Sequence, residues 1–171
     1  SLGAENIQAG LNSALLGLAA VMVFMVLVYK VFGLVANIAL GFNIVLLIAI
    51  LSVFSATLTL PGIAGVVLTV GMAVDANVLI FARIREELAS GLEPVEAVRA
   101  GYDRAFVTIL DANLTTFIVA LILFLIGSGP IKGFAVTLSI GIVTSMFTAV
   151  SVSRALITLI YGRRPLDRIL I

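Results

Sequence analysis

Two aspartates interrupt long apolar stretches of this sequence, and each is followed two residues later by an asparagine. Asp75 and Asn77 lie in the run GMAVDANVLIF, and Asp111 and Asn113 lie in the run ILDANLTTF. A carboxyl group in the hydrocarbon of a bilayer costs about 2.5–3.5 kcal/mol on insertion scales, so it is kept where a function or a pairing needs it. If these runs span a membrane, Asp75 is predicted to be a functional site.

Other polar residues are expected at a depth comparable with that of Asp75, where they would share or support its role. They are Asn77, Asp111, Asn113, Thr115 and Thr116. None of them is basic, so we expect Asp75 either to be protonated at rest or to find its counter-charge on another chain. The alternative is structural: these polar groups would hydrogen-bond facing helices, and Asp111 would cap the start of a helix.

The composition indicates a membrane protein. Hydrophobic residues make up 62% of the chain and charged residues 11%, against about 45–50% and 25% in ordinary soluble domains. Cysteine and histidine are both absent, which removes disulfides, the usual zinc ligands and any Ser-His or Cys-His dyad. We therefore expect no metal and no cofactor.

The apolar runs are long enough for five spans. The uncharged run over residues 31–74 would form a helix about 66 Å long, twice a hydrocarbon core of about 30 Å. The chain must therefore turn back, and Pro61 suits the first turn of a new helix. The sequence predicts an all-α membrane protein, a five-transmembrane-helix bundle in a single domain over residues 1–171. Its predicted segments are spans at about 8–29, 34–55, 62–83, 105–126 and 133–161, a cytoplasmic amphipathic connector at 84–104 and a basic tail at 162–171.

The basic residues predict the orientation of these spans. With five spans, Lys132 lies on one side of the membrane and the other nine of the ten basic residues lie on the opposite side. An excess of Lys and Arg marks the cytoplasmic side. The beginning of this chain is therefore predicted to lie outside and its end in the cytoplasm.

Small residues four positions from another small or polar residue favour close helix packing. The residues predicted to pack in this way are Gly71, Ala73, Gly141 and Ser145.

An intramembrane aspartyl protease is the enzyme that two membrane aspartates suggest. Such proteases carry a Tyr-Asp pair on one helix and a later Gly-x-Gly-Asp on the next. Here Tyr102-Asp103 lies in the charged connector, and the sequence before Asp75 has only the first of the two glycines. The order and the surroundings of the aspartates both exclude this class.

Several motifs in order resemble the SecD members of the SecD/SecF family of bacterial protein-export membrane subunits. They are SLGA at 1–4, PGIAG at 61–65, GMAVDANVLI at 71–80, RIREE at 83–87, ILDANLTT at 109–116, KGFAVTL at 132–138 and TSMFTA at 144–149. The resemblance covers essentially the whole chain. One departure is Ala82, where the family usually has glutamate.

The resemblance implies a fold and a set of partners. The family belongs with resistance–nodulation–division transporters, and this chain would be spans two to six, which follow a large extracytoplasmic domain in a longer polypeptide. These spans would form one half of a pseudo-two-fold membrane domain in the bacterial inner membrane. The implied partners are a SecF-type sister subunit, the SecYEG translocon, membrane lipid and, through the outer domain, the exported polypeptide; no nucleic acid is implied.

The resemblance also assigns a role to the first aspartate. Asp75 would be the proton relay that couples proton movement to late steps of polypeptide translocation, without covalent catalysis. In the sister subunit a basic residue contributes to the relay, whereas the matching stretch near Thr108 offers none. The alternatives that remain open are half of a related proton-driven efflux transporter and a passive helical scaffold.

Overall fold

A computed structural model describes residues 2–53 and 60–161, and every regular element in these ranges is helical. The elements are α1 (Leu2–Tyr29), α2 (Val31–Val53), α3 (Leu60–Ala89), α4 (Pro94–Ile126), α5 (Pro130–Met146), a π-helical segment (Phe147–Val152) and α6 (Ser153–Tyr161). The predicted all-α fold is confirmed.

Five stretches are long and apolar enough to cross a membrane. Four of them are α1 to α4, and the fifth joins α5, the π-helical segment and α6 over Pro130–Leu159. The basic tail predicted over 162–171 and the residues 54–59, which include part of the predicted turn, lie outside the described residues.

The turns between helices occur where the sequence offers special backbone chemistry. Lys30 has a positive φ of 55° and alone separates α1 from α2. Gly91 has a φ of 100°, which glycine adopts without strain, and Pro94 then begins α4. Gly129 and Pro130 form the equivalent pair before α5. Proline suits the first turn of a helix because the N–H that it lacks would have no helical partner there.

The charged connector expected over residues 84–104 is not a separate element in the structure. Helix α3 continues to Ala89 and α4 begins at Pro94, so only residues 90–93 form the turn. Both helices extend past the apolar part of their sequence because nothing in the charged residues breaks a helix. The charges therefore lie on the ends of two long helices.

Helix α3 is the centre of the bundle and contacts α1, α2, α4 and α5. It approaches α5 so closely that a β-carbon on Gly141 would collide with the side chain of Thr69. Gly101 likewise brings α4 close to Ile84 of α3, where a β-carbon would collide with the Ile84 side chain. Small residues at such positions let membrane helices gain van der Waals contact, which drives their association in lipid.

The outer helices α1 and α4 are covered much less. Every side chain of α1 from residue 3 to residue 24 is at least partly exposed, and α1 joins the core through Met25 and Tyr29. Helix α4 buries a narrow stripe that includes Tyr102, Ile109 and Asn113. The main apolar core joins this stripe of α4 to buried residues of α2 and α3 near the basic residues of α3, and a smaller apolar cluster joins α4 to α5.

The charged ends of several helices meet at one end of the bundle, which we call the basic end. Arg85 of α3 donates a hydrogen bond to the Val28 carbonyl, and its guanidinium lies 4.4 Å from the ring centroid of Tyr29. Arg104 of α4 donates to the Glu87 carboxylate of α3 at 2.6 Å. These contacts connect α1, α3 and α4 where the positive charges predicted to be cytoplasmic are found.

The last helix is connected to α4 at the same end. The hydroxyl groups of Tyr102 and Ser153 lie 2.7 Å apart, and both side chains are buried. Arg154 lies 3.7 Å from the Asp103 carboxylate. The contact follows directly after the π-helical segment, whose wider turn is a feature often found at functional sites.

Candidate functional site: a carboxylate on the open face of α3

Helix α3 has two faces that differ in their surroundings. The packed face is buried and consists of Thr69, Ala73, Asn77, Ile80 and Ile84. The open face is exposed in this chain and consists of Ala64, Leu68, Gly71, Asp75 and Leu79. Each set follows the three- and four-residue steps of one side of a helix.

Asp75 lies on the open face at hydrocarbon depth. It is 15 residues from the start of α3 at Leu60, or about 22 Å along the axis, and about 12 Å before Arg83. Within residues 2–53 and 60–161 its carboxylate forms neither a hydrogen bond nor an ion pair. The carboxylate is therefore open to a hydrogen-bond donor from outside the described residues.

Asn77 lies on the packed face, so the structure does not bring it to Asp75. Its side chain is buried, and its Nδ2 donates to the Ala73 carbonyl at 3.2 Å. Its Oδ1 is buried without a hydrogen-bond partner among the described atoms. Two residues correspond to about 200° around a helix, and this rotation separates the two polar groups of the motif.

The second motif repeats the same division on α4. Asp111 is exposed, whereas Asn113 is buried against the bundle. The hydroxyl groups of Thr115 and Thr116 donate to the backbone carbonyls of Asp111 and Ala112, each at 3.0 Å. These threonines therefore satisfy their donors locally, and in the described part of the chain no hydrogen bond joins Asp75 to Asp111.

Of the four residues predicted to pack helices together, three are buried inside the bundle and one is exposed. Ala73, Gly141 and Ser145 are buried, and Gly141 packs against Thr69 of α3. Gly71 lies on the open face, where a β-carbon would meet no described atom within 4 Å. Within the described part of the chain it therefore contacts no other helix.

Two further polar residues, Asn43 and Thr69, are buried but belong to none of the predicted site residues. Both have no exposed surface. The signal for Asn43 was present, because it recurs at helical spacing with the buried Ala36, Ala39 and Leu47 of α2. In a run that is apolar on every side, however, that spacing does not distinguish the packed side of the helix from the lipid side.

A metal centre has no basis in the described residues, since no three acidic, histidine or cysteine side chains group together there. The chemistry that this site offers is that of a single carboxylate at hydrocarbon depth.

The comparison with known proteins joins these motifs to one family. Residues 1–163 match the family described as Protein export membrane protein SecD/SecF, C-terminal. The chain belongs to the SecD/SecF family.

Individual SecD proteins cover the chain almost completely. The protein translocase subunit SecD of Pseudomonas aeruginosa is 56% identical over 169 residues, which are 99% of this chain and 27% of that protein. The corresponding subunit of Haemophilus influenzae is 54% identical over 172 residues, which are 100% of this chain and 28% of that protein. The chain thus spans about a quarter to a third of the length of the curated SecD relatives it matches.

The fold is also similar to solved SecDF structures. The crystal structure of SecDF, a translocon-associated membrane protein from Thermus thermophilus, matches with a TM-score of 0.85 at 42% identity, over 94% of this chain and 23% of that chain. SecDF in its super-membrane-facing form matches with a TM-score of 0.89 over 97% of this chain, again at 42% identity and 23% of that chain. The five-span bundle is therefore the SecD/SecF membrane fold, and the chain is a multi-pass membrane segment.

Proposed function

We propose that this chain is the C-terminal membrane part of a SecD-type subunit of the bacterial Sec export machinery, and that Asp75 carries protons whose movement drives late steps of polypeptide translocation. The observation that carries the proposal is the placement of Asp75. It is a carboxylate at hydrocarbon depth, on an exposed face of the central helix, in a motif of the family.

A carboxylate in this position must be in contact with protein or water rather than with lipid acyl chains. Exposure to acyl chains would cost several kcal/mol, and the described bundle supplies no partner. The small residues Ala64 and Gly71 on the same face allow another helix to approach closely. We infer that a SecF-type sister subunit covers the open face, so that this bundle forms one half of a pseudo-two-fold membrane domain.

Protonation of Asp75 supplies enough energy to change the packing at such an interface. Neutralising a carboxylate in the membrane removes a penalty of about 2.5–3.5 kcal/mol. A proton that crosses a potential of about 100 mV contributes about 2.3 kcal/mol. These energies are comparable, so proton occupancy can shift the balance between two arrangements of the helices. No covalent catalysis is required.

The positions of the charges support an orientation in the bacterial inner membrane. The basic end gathers Lys30, Arg83, Arg85, Arg104 and Arg154, while Lys132 begins α5 at the opposite end. We propose that the basic end is cytoplasmic. In this orientation an outer domain that precedes α1 would act on the exported polypeptide on the far side, with SecYEG as the channel.

The decisive experiment is Asp75→Asn in the whole subunit, assembled with its sister. Asparagine keeps the shape of the side chain but cannot carry a proton, so we expect the stimulation of export by the proton-motive force to be lost. Export of a preprotein into inverted membrane vesicles, with and without an ionophore, measures this stimulation. Asp103→Asn, at an exposed aspartate of the basic end, is the matched control and should export normally.

The assembly of the two subunits must be measured alongside. If Asp75→Asn keeps full proton-dependent export, Asp75 is not the relay. If export is lost because the sister subunit no longer binds, Asp75 serves the interface rather than proton transfer. Co-purification of the two subunits separates these results, and we expect it to be unchanged.

The covered face can be tested independently because this chain contains no cysteine. A cysteine introduced by Leu79→Cys lies on the open face, whereas Leu16→Cys lies on the outer helix α1, and both leucines are exposed in this chain. We expect cross-linking to the sister subunit from position 79 and not from position 16. Equal cross-linking, or none at 79, would contradict the proposed interface.

A further inference from the structure

Within residues 2–53 and 60–161, the interior of the bundle contains one side chain whose polar atoms all lack a hydrogen-bond partner. Asn43 of α2 has no exposed surface, and both its Oδ1 and its Nδ2 lack a hydrogen-bond partner among the described atoms. Asn77 Oδ1 is the other buried atom in this condition within the described residues. Helix α2 has one other asparagine, Asn37, which is partly buried and donates to the Met22 carbonyl at 3.0 Å. The lack of a partner is therefore specific to Asn43 and not a general property of this helix.

An amide buried without partners is rare in native proteins. About nine in ten or more buried polar groups have a hydrogen-bond partner, either protein or ordered water. A water molecule buried in a protein typically makes about three hydrogen bonds to polar groups that would otherwise be unsatisfied. An amide offers two donors and an acceptor, which are the contacts that a single water can use.

The surroundings of Asn43 are polar enough to complete such a site. Asn43 is ten residues before the end of α2 at Val53, or about 15 Å, while Thr69 and Gly141 lie about 14 and 16 Å from the starts of α3 and α5 at the same side. Helix α2 contacts both α3 and α5. Three neighbouring helices therefore bring Asn43, Thr69 and Gly141 to one level of the bundle.

The threonine at this level retains acceptor capacity. Thr69 donates its hydroxyl hydrogen to the Gly65 carbonyl at 2.8 Å, and the same oxygen faces Gly141 of α5. A hydroxyl that donates one hydrogen bond can also accept one. Thr69 is buried on the packed face of α3, on the side away from Asp75.

We propose that Asn43 binds a water molecule held inside the bundle, between α2, α3 and α5. The amide of Asn43 and the hydroxyl oxygen of Thr69 supply its hydrogen bonds. This hydration site is separate from the carboxylate site, because the body of α3 lies between them. It does not depend on the role proposed for Asp75.

The test is X-ray hydroxyl-radical labelling of the whole subunit in lipid nanodiscs, in which radicals formed from ordered water oxidise the side chains beside it. Leu40 and Leu47 flank Asn43 on the buried stripe of α2, and Val35 of the same stripe lies near the basic end. We expect several-fold faster labelling at Leu40 and Leu47 than at Val35. Equal, slow labelling at all three residues in the unmodified protein would overturn the proposal.

A pair of variants assigns the labelling to the amide. Asn43→Leu should reduce labelling at Leu40 and Leu47 to the level of Val35, whereas Asn37→Leu, at the asparagine that already has a protein partner, should leave it unchanged. Unchanged labelling in Asn43→Leu would also refute the site. If Asn43→Leu does not fold, the comparison within the unmodified protein decides, as does the presence or absence of water density at Asn43 in a high-resolution structure.

Discussion

The packed face and the open face of α3 are formed by residues that alternate along one apolar helix. The packed face is buried in the bundle, whereas the open face is exposed. On the packed face, side chains such as Ile80 have no exposed surface, while on the open face Leu79 keeps 37% of its surface exposed and Asp75 is exposed as well. The packed face completes the bundle, and the open face is the part of the helix that this chain leaves for something else. Stability and function are thus divided between two sides of one helix.

The division continues to the basic end of the helix. Glu87 lies on the continuation of the packed face, is buried and forms an ion pair with Arg104 of α4. Its neighbour Glu86 is exposed and forms an ion pair with Arg83 of the same helix at 2.7 Å. Adjacent residues therefore form matched pairs that differ in which face they occupy. Substituting both members of each pair tests whether the packed face stabilises the subunit and the open face does not.

The largest difference is expected between Ile80→Ala and Leu79→Ala. Removing the buried Ile80 side chain leaves a cavity and loses van der Waals contacts, which costs about 2–5 kcal/mol. Leu79→Ala should destabilise the isolated subunit by about 1 kcal/mol or less, because 37% of the Leu79 surface is exposed and its removal leaves no closed cavity. Thermal unfolding of the subunit in detergent measures both. An equal loss from Leu79→Ala would mean that the open face is covered within the subunit itself.

The next difference is expected at two glycines. Gly141→Val introduces a β-carbon that collides with Thr69, and overpacking of this kind costs about 1–3 kcal/mol. Gly71→Val meets open space, so the isolated subunit should be as stable as before, while binding to the sister subunit weakens. Unfolding and co-purification of the two subunits distinguish these effects. Normal stability of Gly141→Val would show that α3 and α5 separate more easily than their contact suggests.

The smallest difference is expected between the two glutamates. Glu87→Gln replaces a buried carboxylate that receives a charged hydrogen bond, and Arg104 is itself largely exposed, so we expect a loss of about 1 kcal/mol. Glu86→Gln should leave the stability unchanged within error, because an exposed pair contributes little. Chemical unfolding at low and high salt measures both variants. A larger loss from Glu86→Gln would indicate that this end of the open face also has a partner in the subunit.

The helical class and the number of spans could be predicted from the sequence. The length of an apolar run and the rise of a helix are local quantities, and they require the chain to cross a membrane five times. The extent of the helices at the basic end could not be predicted in the same way. Charge ends the apolar part of α3 near Arg83, but a helix that leaves the membrane continues in water until a residue such as Gly91 stops it.

The sequence indicates candidate site residues but not their arrangement, and the role of these residues stays a prediction. Asp75 and Asn77 were identified together because both are polar in an apolar run, and the structure places them on opposite faces of α3. The contact of Gly141 with Thr69, the burial of Asn43 and the π-helical segment were likewise not evident from the sequence. In a soluble protein, the polar side of a helix would have indicated which side faces the core.

The sequence by itself therefore determined that this chain is a five-span helical membrane segment of the SecD/SecF family with a carboxylate at hydrocarbon depth. Only the tertiary structure decided which side of α3 is packed and which side is left open. The physical reason is that lipid and protein interior are equally apolar, so the hydrophobic pattern is the same on both sides. The choice between them depends on the shapes of small residues on neighbouring helices, such as Gly101 and Gly141, which become apparent only when the helices are brought together.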